Sequence, residues 1–297
     1  MAARVLKGKD PKNAKPAKPK IVIYGPPGVG KTWGALDFPS AYYIDTEGGA
    51  NLDHYTDKLK KSGGLYLGVE DGSLDFDVVT DEIITLATTK HEFRTLIIDS
   101  YSKLFNTDIS RCFEALDKKN PGVATFGAEK KHAINLTRRW VDWFTKMDMN
   151  VILICHEKTK YETINGNSQA VGKELDGWDR LEYDLNLCLH INKQGNSRKA
   201  RVTKTRFDQF KDGEVFDWSY ATFADKYGRD VIEANSVAVI LATTEQIAEF
   251  TALLDTVKVD TAVIEKWNSA GPVEELTTAD IQKRIDFLNK QLEKAKA

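Results

Sequence analysis

Five short runs of apolar residues set the frame of the chain: 21–24 (IVIY), 41–45 (AYYID), 95–99 (TLIID), 151–155 (VILIC) and 185–191 (LNLCLHI). A strand with one wet face alternates apolar and polar positions. Nearly continuous apolar runs therefore predict strands buried on both faces, as in a parallel sheet. Helical periodicities lie between these runs. The clearest spans about 128–147, with Ile134, Trp140, Val141 and Phe144 near helical spacing and charges elsewhere. Alternating strand and helix patterns predict a doubly wound α/β domain with a mostly parallel central sheet.

The pattern changes after about residue 229. Thr243 and Gln246 form a capping-box pair. Ile247, Phe250, Leu254 and Val257 then make one helical stripe, and Ile281, Ile285, Leu288 and Leu292 make another after Thr277. Trp267 falls in the segment between them, before Gly271-Pro272. Residues 230–297 hold 12 acids and seven bases, which predicts a small acidic helical domain over 229–297. At the other end, Arg4, Lys7, Lys9, Lys12, Lys15, Lys18 and Lys20 face one acid, Asp10, and three prolines intervene. Residues 1–19 therefore read as a mobile basic arm and 20–228 as the α/β core.

Charge and cysteine content narrow the chemistry. Among 297 residues, 42 Lys and Arg against 44 Asp and Glu give a net charge of −2, so any nucleic-acid contact must come from local patches. Cys112, Cys155 and Cys188 form no CxxC pair and the five histidines show no ligand spacing, which argues against a disulfide scaffold and a structural zinc. Cys155 and Cys188 sit in apolar runs and are expected to pack as small hydrophobes. No apolar run reaches membrane-spanning length and no signal peptide is evident, so a cytoplasmic location without membrane contact is expected.

Residues 25–32 read GPPGVGKT, a full G-x-x-x-x-G-K-[ST] match directly after an apolar strand. Such a loop curls so that successive N–H groups point at phosphate oxygens. Contacts to ATP are expected from the whole run Gly25, Pro26, Pro27, Gly28, Val29, Gly30, Lys31, Thr32 and Trp33. Lys31 supplies charge to the terminal phosphates and Thr32 a hydroxyl to Mg²⁺. The dipole of the following helix is expected to face the same anion. Asp99 ends an apolar strand where a carboxylate can hold Mg²⁺ opposite Thr32.

Asp99 is followed by Ser100 rather than Glu, so a base that activates water must come from elsewhere. Glu47, just past the strand 41–45, is the favoured candidate, with Asp45 as its competitor. His156, after VILIC, is a candidate reporter of the γ-phosphate, with core packing or simple exposure as the alternative.

Together these motifs resemble the RecA-like recombinase ATPases over roughly residues 20–220. GPPGVGKT resembles that family's Walker A loop, IDTEGGANLD the segment carrying its catalytic glutamate (here Glu47), and LIIDSYSKL its Walker B strand (here Asp99). The position that is typically Gln in RecA holds His156. Within the superfamily the chain looks like the small phage ATPases of the Sak-four type, which are single-strand annealing proteins. The resemblance implies a RecA-like P-loop core, a homo-oligomeric ring or filament, and, for a phage-encoded protein, the host cytoplasm. It also implies that Lys204 and Arg206, in VTKTRF at 202–207, reach the ATP of a neighbouring subunit. A solvent-facing basic strand is the plainer alternative.

By the same resemblance, two mobile loops near 117–127 and 157–178 contact single-stranded DNA. In the second, Lys158, Lys160 and Lys173 can pair with phosphates while Tyr161 and Trp178 stack on bases. The acidic C-terminal helices fit a protein contact, such as a single-strand-binding protein, or a packing role capping the core, better than DNA. Two other classes share the loop: a hexameric helicase or AAA+ loader, and a P-loop kinase for a small metabolite. Helicases usually bring a separate N-terminal domain, AAA+ proteins usually carry Asp-Glu where this chain has Asp99-Ser100, and no arginine-rich kinase lid is evident.

Overall fold

The computed structural model describes residues 16–49, 51–72, 74–268 and 271–296. Eight strands form one sheet: β1 (Lys20–Tyr24), β2 (Ala41–Asp45), β3 (Leu65–Leu67), β4 (Thr95–Asp99), β5 (Asn150–Cys155), and, after a separate hairpin, β8 (Leu187–Gln194), β9 (Ser197–Thr205) and β10 (Val215–Asp217). Their order is β10-β9-β8-β1-β5-β4-β2-β3. The six strands from β8 to β3 run parallel, and β9 and β10 add antiparallel at one edge. The sheet is thus mostly parallel and flanked by helices, the α/β architecture that the alternating strand and helix patterns predict.

Both faces of this sheet are dry, which explains the continuous apolar runs. Val22, Leu96, Ile98, Val151 and Leu153 join the core on one face. Their neighbours Ile21, Ile23, Ile97, Ile152 and Ile154 join the core on the other. Successive side chains point to opposite faces, so each strand fills two cores at once. Helices α3 (Phe76–Thr88), α4 (Tyr101–Lys119) and α5 (Lys131–Lys146) cover the first face, with Trp140 and Phe144 buried as the helical spacing predicts. The second face lies against α1 (Lys31–Ala35), α2 (Asp53–Ser62) and, beyond the single turn α6 (Leu181–Asp184), α7 (Tyr220–Tyr227) and α8 (Arg229–Glu233). Cys155 and Cys188 are buried, and burial pushes the Cys188 thiol up to about 12.

Three local expectations change. The segment 157–178 is mostly a twisted two-stranded hairpin, not a structureless loop: β6 (Glu157–Ile164) pairs antiparallel with β7 (Asn167–Leu175). Asn165 and Gly166 form its tip, with φ of 51° and 80°, the left-handed pair that a two-residue hairpin turn requires. Second, the basic arm lies outside the described residues up to Lys15, but its last residues pack against the core. Lys18 Nζ donates to the Ala234 carbonyl and Tyr227 Oη to that of Ala17. Third, core packing continues past residue 229. Ile232 is fully buried in the second core, and Val239 and Leu241 pack on the first.

Beyond that point α9 (Thr244–Thr256), α10 (Thr261–Asn268) and α11 (Thr278–Lys296) enclose a small core of their own around Phe250, Leu276, Ile281, Ile285 and Leu288. The capping box forms, each partner at 3.2 Å. Trp267 lies on α10, wedged between Phe250 and Phe287. The Arg139–Glu275 ion pair ties this unit to α5.

Candidate functional site

The glycine loop leaves the carboxyl end of β1, where strand ends and loops of a parallel sheet converge on a crevice. Gly28 and Gly30 take φ of 73° and 86°, which bends the chain back over itself before α1 begins. Lys31 Nζ donates to the carbonyls of Gly25 (2.8 Å) and Pro26 (3.0 Å), so the amine spans the mouth of the loop. Burial holds its pKa below the usual lysine value, while Asp99 and Glu47 pull it back up. A cavity of about 510 Å³ opens there, lined by Gly25, Pro27, Gly28, Lys31, Thr32, Glu47, Tyr55, Asp99, His156 and Glu157. Pro26, Val29, Gly30 and Trp33 lie outside this lining. Trp33 instead carries the Lys58 amine over its ring at 3.8 Å.

Thr32 Oγ1 donates to Asp99 Oδ2 at 2.5 Å, although 67 residues separate them. β4 sits two strands from β1, with β5 between, so the carboxylate faces the loop from across the crevice. Burial pushes the Asp99 carboxyl up to about 6; the Thr32 hydroxyl lowers it and the nearby Glu47 and Asp45 raise it further. A hydroxyl and a carboxylate are hard oxygen donors, and the site carries more negative charge than Lys31 offsets. That donor set fits Mg²⁺.

The turn after β2 separates the two acids that the sequence left in competition. Asp45 Oδ1 accepts from the backbone N–H groups of Glu47 (2.9 Å) and Gly48 (3.1 Å), and Oδ2 accepts from Gly49 (2.5 Å). Asp45 thereby shapes the turn. Glu47 is left facing the cavity, where its Oε1 meets His156 Nε2 at 2.6 Å and accepts from Ser100 Oγ at 2.6 Å. The hydrogen bond from His156 is the main reason the Glu47 carboxyl falls to about 2, and the same bond raises His156. Ser100 therefore holds the glutamate. The sequence showed only that a second acid was missing there.

The remaining candidates are not brought to this cavity. Lys204 pairs with Cys188, level with Val22, and Arg206 N bonds Asn186 O near the start of β1. Both lie toward the end of the sheet opposite the loop. Their side chains donate to the carbonyls of Leu185 and Tyr183. Lys158, Lys160, Tyr161 and Lys173 share the β6–β7 hairpin, and Tyr161 is 63% exposed. Each of these lysines has an acid nearby: Glu174 for Lys158, Glu162 for Lys160 and Glu157 for Lys173. Trp178 departs from its expected role. It is 9% exposed and packed in the first core, with Arg138 over its ring, so it offers no free face to a base.

A glycine loop between a central parallel strand and a helix, with a strand-end carboxylate opposite its threonine, defines a P-loop domain. Residues 17–216 match the family model described as an AAA domain, and the chain belongs to that family. No curated protein matches the sequence. Among solved structures, the RadB recombinase is similar at 18% identity and a TM-score of 0.39, over 66% of this chain and 84% of that one. No helix among the described residues is long and apolar enough to cross a membrane.

Proposed function

We propose that the protein is a Mg²⁺-dependent ATPase of DNA recombination that binds single-stranded DNA and promotes annealing or strand pairing, as a phage protein of the Sak-four type would. The observation that carries this reading is one cavity bringing together Lys31, the Thr32–Asp99 pair and the Glu47–His156 pair. In the reaction proposed, loop amides and Lys31 bind the terminal phosphates. Magnesium at Thr32 and Asp99 would offset charge developing on the phosphoryl oxygens. Glu47 orients the attacking water, and Ser100 and His156 fix where its carboxylate sits. Lys204 and Arg206, remote from the cavity of their own chain, act on that of a neighbouring copy in a ring or filament. The hairpin lysines and Tyr161 line the DNA path, and the C-terminal helices take a protein partner.

The test is ATP turnover with and without single-stranded DNA, alongside mass photometry. DNA-stimulated turnover in an assembled state is expected; turnover indifferent to DNA at every assembly size overturns the DNA role. The family's description as an AAA domain favours a second reading, a loader or helicase motor. Duplex unwinding coupled to hydrolysis would select it.

A further inference from the structure

We propose that Arg198 is a nucleotide contact supplied by the same protomer, and that it takes the α-phosphate of the bound ATP or ADP. This rests on the nucleotide-binding reading above and adds a residue that lies outside the glycine motif.

Arg198 is the second residue of β9, paired with Lys193 of β8. That is three residues beyond His190, which is level with Tyr24, the last residue of β1. The side chain therefore stands at the height of the glycine loop. It lies directly on Gly30: a Cβ placed there would come within 2.0 Å of Arg198 Nε and 2.6 Å of its Cδ. The backbone of Arg198 is fixed from behind. Its carbonyl accepts from Trp218 N at 2.8 Å, and the Trp218 ring closes on Gly34 so tightly that a Cβ would sit 2.3 Å from Nε1. The β9–β10 edge thus grips α1 at both ends and holds the arginine stem over its first turn.

The charge of this group is unbalanced. Among the described residues the guanidinium makes no ion pair and no hydrogen bond, although Arg198 is half-buried. The cations beside it are matched: Lys199 with Asp217 and Lys58 with Asp37. Arg198 adds like charge to Lys58 instead. An unpaired guanidinium lying on the glycine loop concentrates positive potential that an anion offsets, and its planar fork suits two phosphate oxygens. The cavity lined by Lys31, Thr32, Glu47, Asp99 and His156 accounts for the terminal phosphates. Gly30 lies outside that lining with Arg198 against it, and the proposed position of the α-phosphate is there, beyond the terminal phosphates.

A contact to the α-phosphate is common to ATP and ADP, so it sets affinity for both without discriminating between them. The test is titration of fluorescent ATP and ADP analogues, with Mg²⁺, into wild type, Arg198→Ala, Arg198→Lys and Lys31→Ala. Arg198→Ala is expected to weaken both nucleotides by the same factor, about tenfold, with Arg198→Lys recovering part of it. Arg198→Gln, which keeps more of the stem packed on Gly30, is expected to lose affinity equally and replaces the alanine variant if that one unfolds. Unchanged affinity in the Ala or Gln variant, with binding lost in Lys31→Ala, overturns the role of Arg198 and leaves the nucleotide reading standing. A loss confined to ATP also overturns it, since that places the contact at the γ-phosphate. A wild-type protein that binds neither nucleotide overturns the nucleotide reading itself.

Discussion

Glu47 Oε1 and His156 Nε2 meet at 2.6 Å across the cavity, joining the ends of β2 and β5. The pairing raises the pKa of His156 and lowers that of Glu47 to about 2. A raised histidine contributes stability below its unfolded pKa of 6.5 and loses it as pH rises through the folded value. A depressed glutamate contributes above 4.5 and loses it as pH falls toward about 2. The pair is therefore at full strength between about 4.5 and 6.5. NMR titration should place His156 above an ordinary histidine, and Glu47→Gln should bring it down.

The same glutamate is the proposed base. Glu47→Gln should cut ATP turnover by roughly 10² to 10⁴-fold while nucleotide affinity stays near wild type. Asp45→Asn should instead disturb the turn itself, because its two oxygens hold three backbone N–H groups. Steady-state turnover combined with nucleotide titration separates the two variants.

Lys20 opens β1 with its amine buried and donating to the carbonyls of Met147 and Met149. Burial pulls its pKa down to about 7, against 10.5 in the unfolded chain. Between those values the unfolded state holds more protons, so stability should rise with pH from about 7 toward 10. The contribution is on the order of 3 to 5 kcal/mol across that window. Lys20→Met should flatten the slope, as urea unfolding at pH 6.5, 8 and 9.5 would reveal.

Trp178 and the hairpin lysines should behave oppositely. Trp178→Ala removes a core side chain and should cost about 3 to 5 kcal/mol of stability. Replacing Lys158, Lys160 and Lys173 together should leave the unfolding midpoint nearly unchanged. It should reduce the salt dependence of oligonucleotide binding by about two released ions. Thermal melts and fluorescence anisotropy at several salt concentrations check both statements.

If Lys204 and Arg206 act on a neighbour, two inactive proteins should rescue one another. A Lys31→Ala subunit still carries both cations, and a Lys204→Ala/Arg206→Ala subunit still carries an intact loop. Mixing them should restore part of the ATP turnover, and dilution of the mixture to monomers should remove what was restored. Mixtures no more active than the sum of their parts would count against action between subunits.

The strands were legible because burial on both faces leaves a signature that few other structures share. β1, β2 and β4 fall within one residue of the apolar runs, and β5 and β8 shift by one to three at their ends. The contact between the glycine loop and Asp99 was legible because the motif over 25–32 follows a strand and expects a strand-end carboxylate opposite Thr32. The β6–β7 hairpin was missed because both its faces are wet, so no alternation marks it. Asn165-Gly166 was its available signal, a turn pair flanked by residues of high strand propensity. Ser100 and Arg198 could not be found by motif. Their placement depends on which strands lie side by side, and that information is nonlocal.

Helix α1 behind the loop is five residues long, reaching only Ala35 before the chain turns toward Pro39. Its axis spans about 7.5 Å, so its negative terminus lies close behind its positive one and much of the axial field cancels. Under the proposed nucleotide reading, the grip on a polyanion then comes from discrete donors and fixed cations at contact range. Such a pocket should owe its selectivity to geometry, tolerating little change in the spacing between its ligand and the edge strands that brace it.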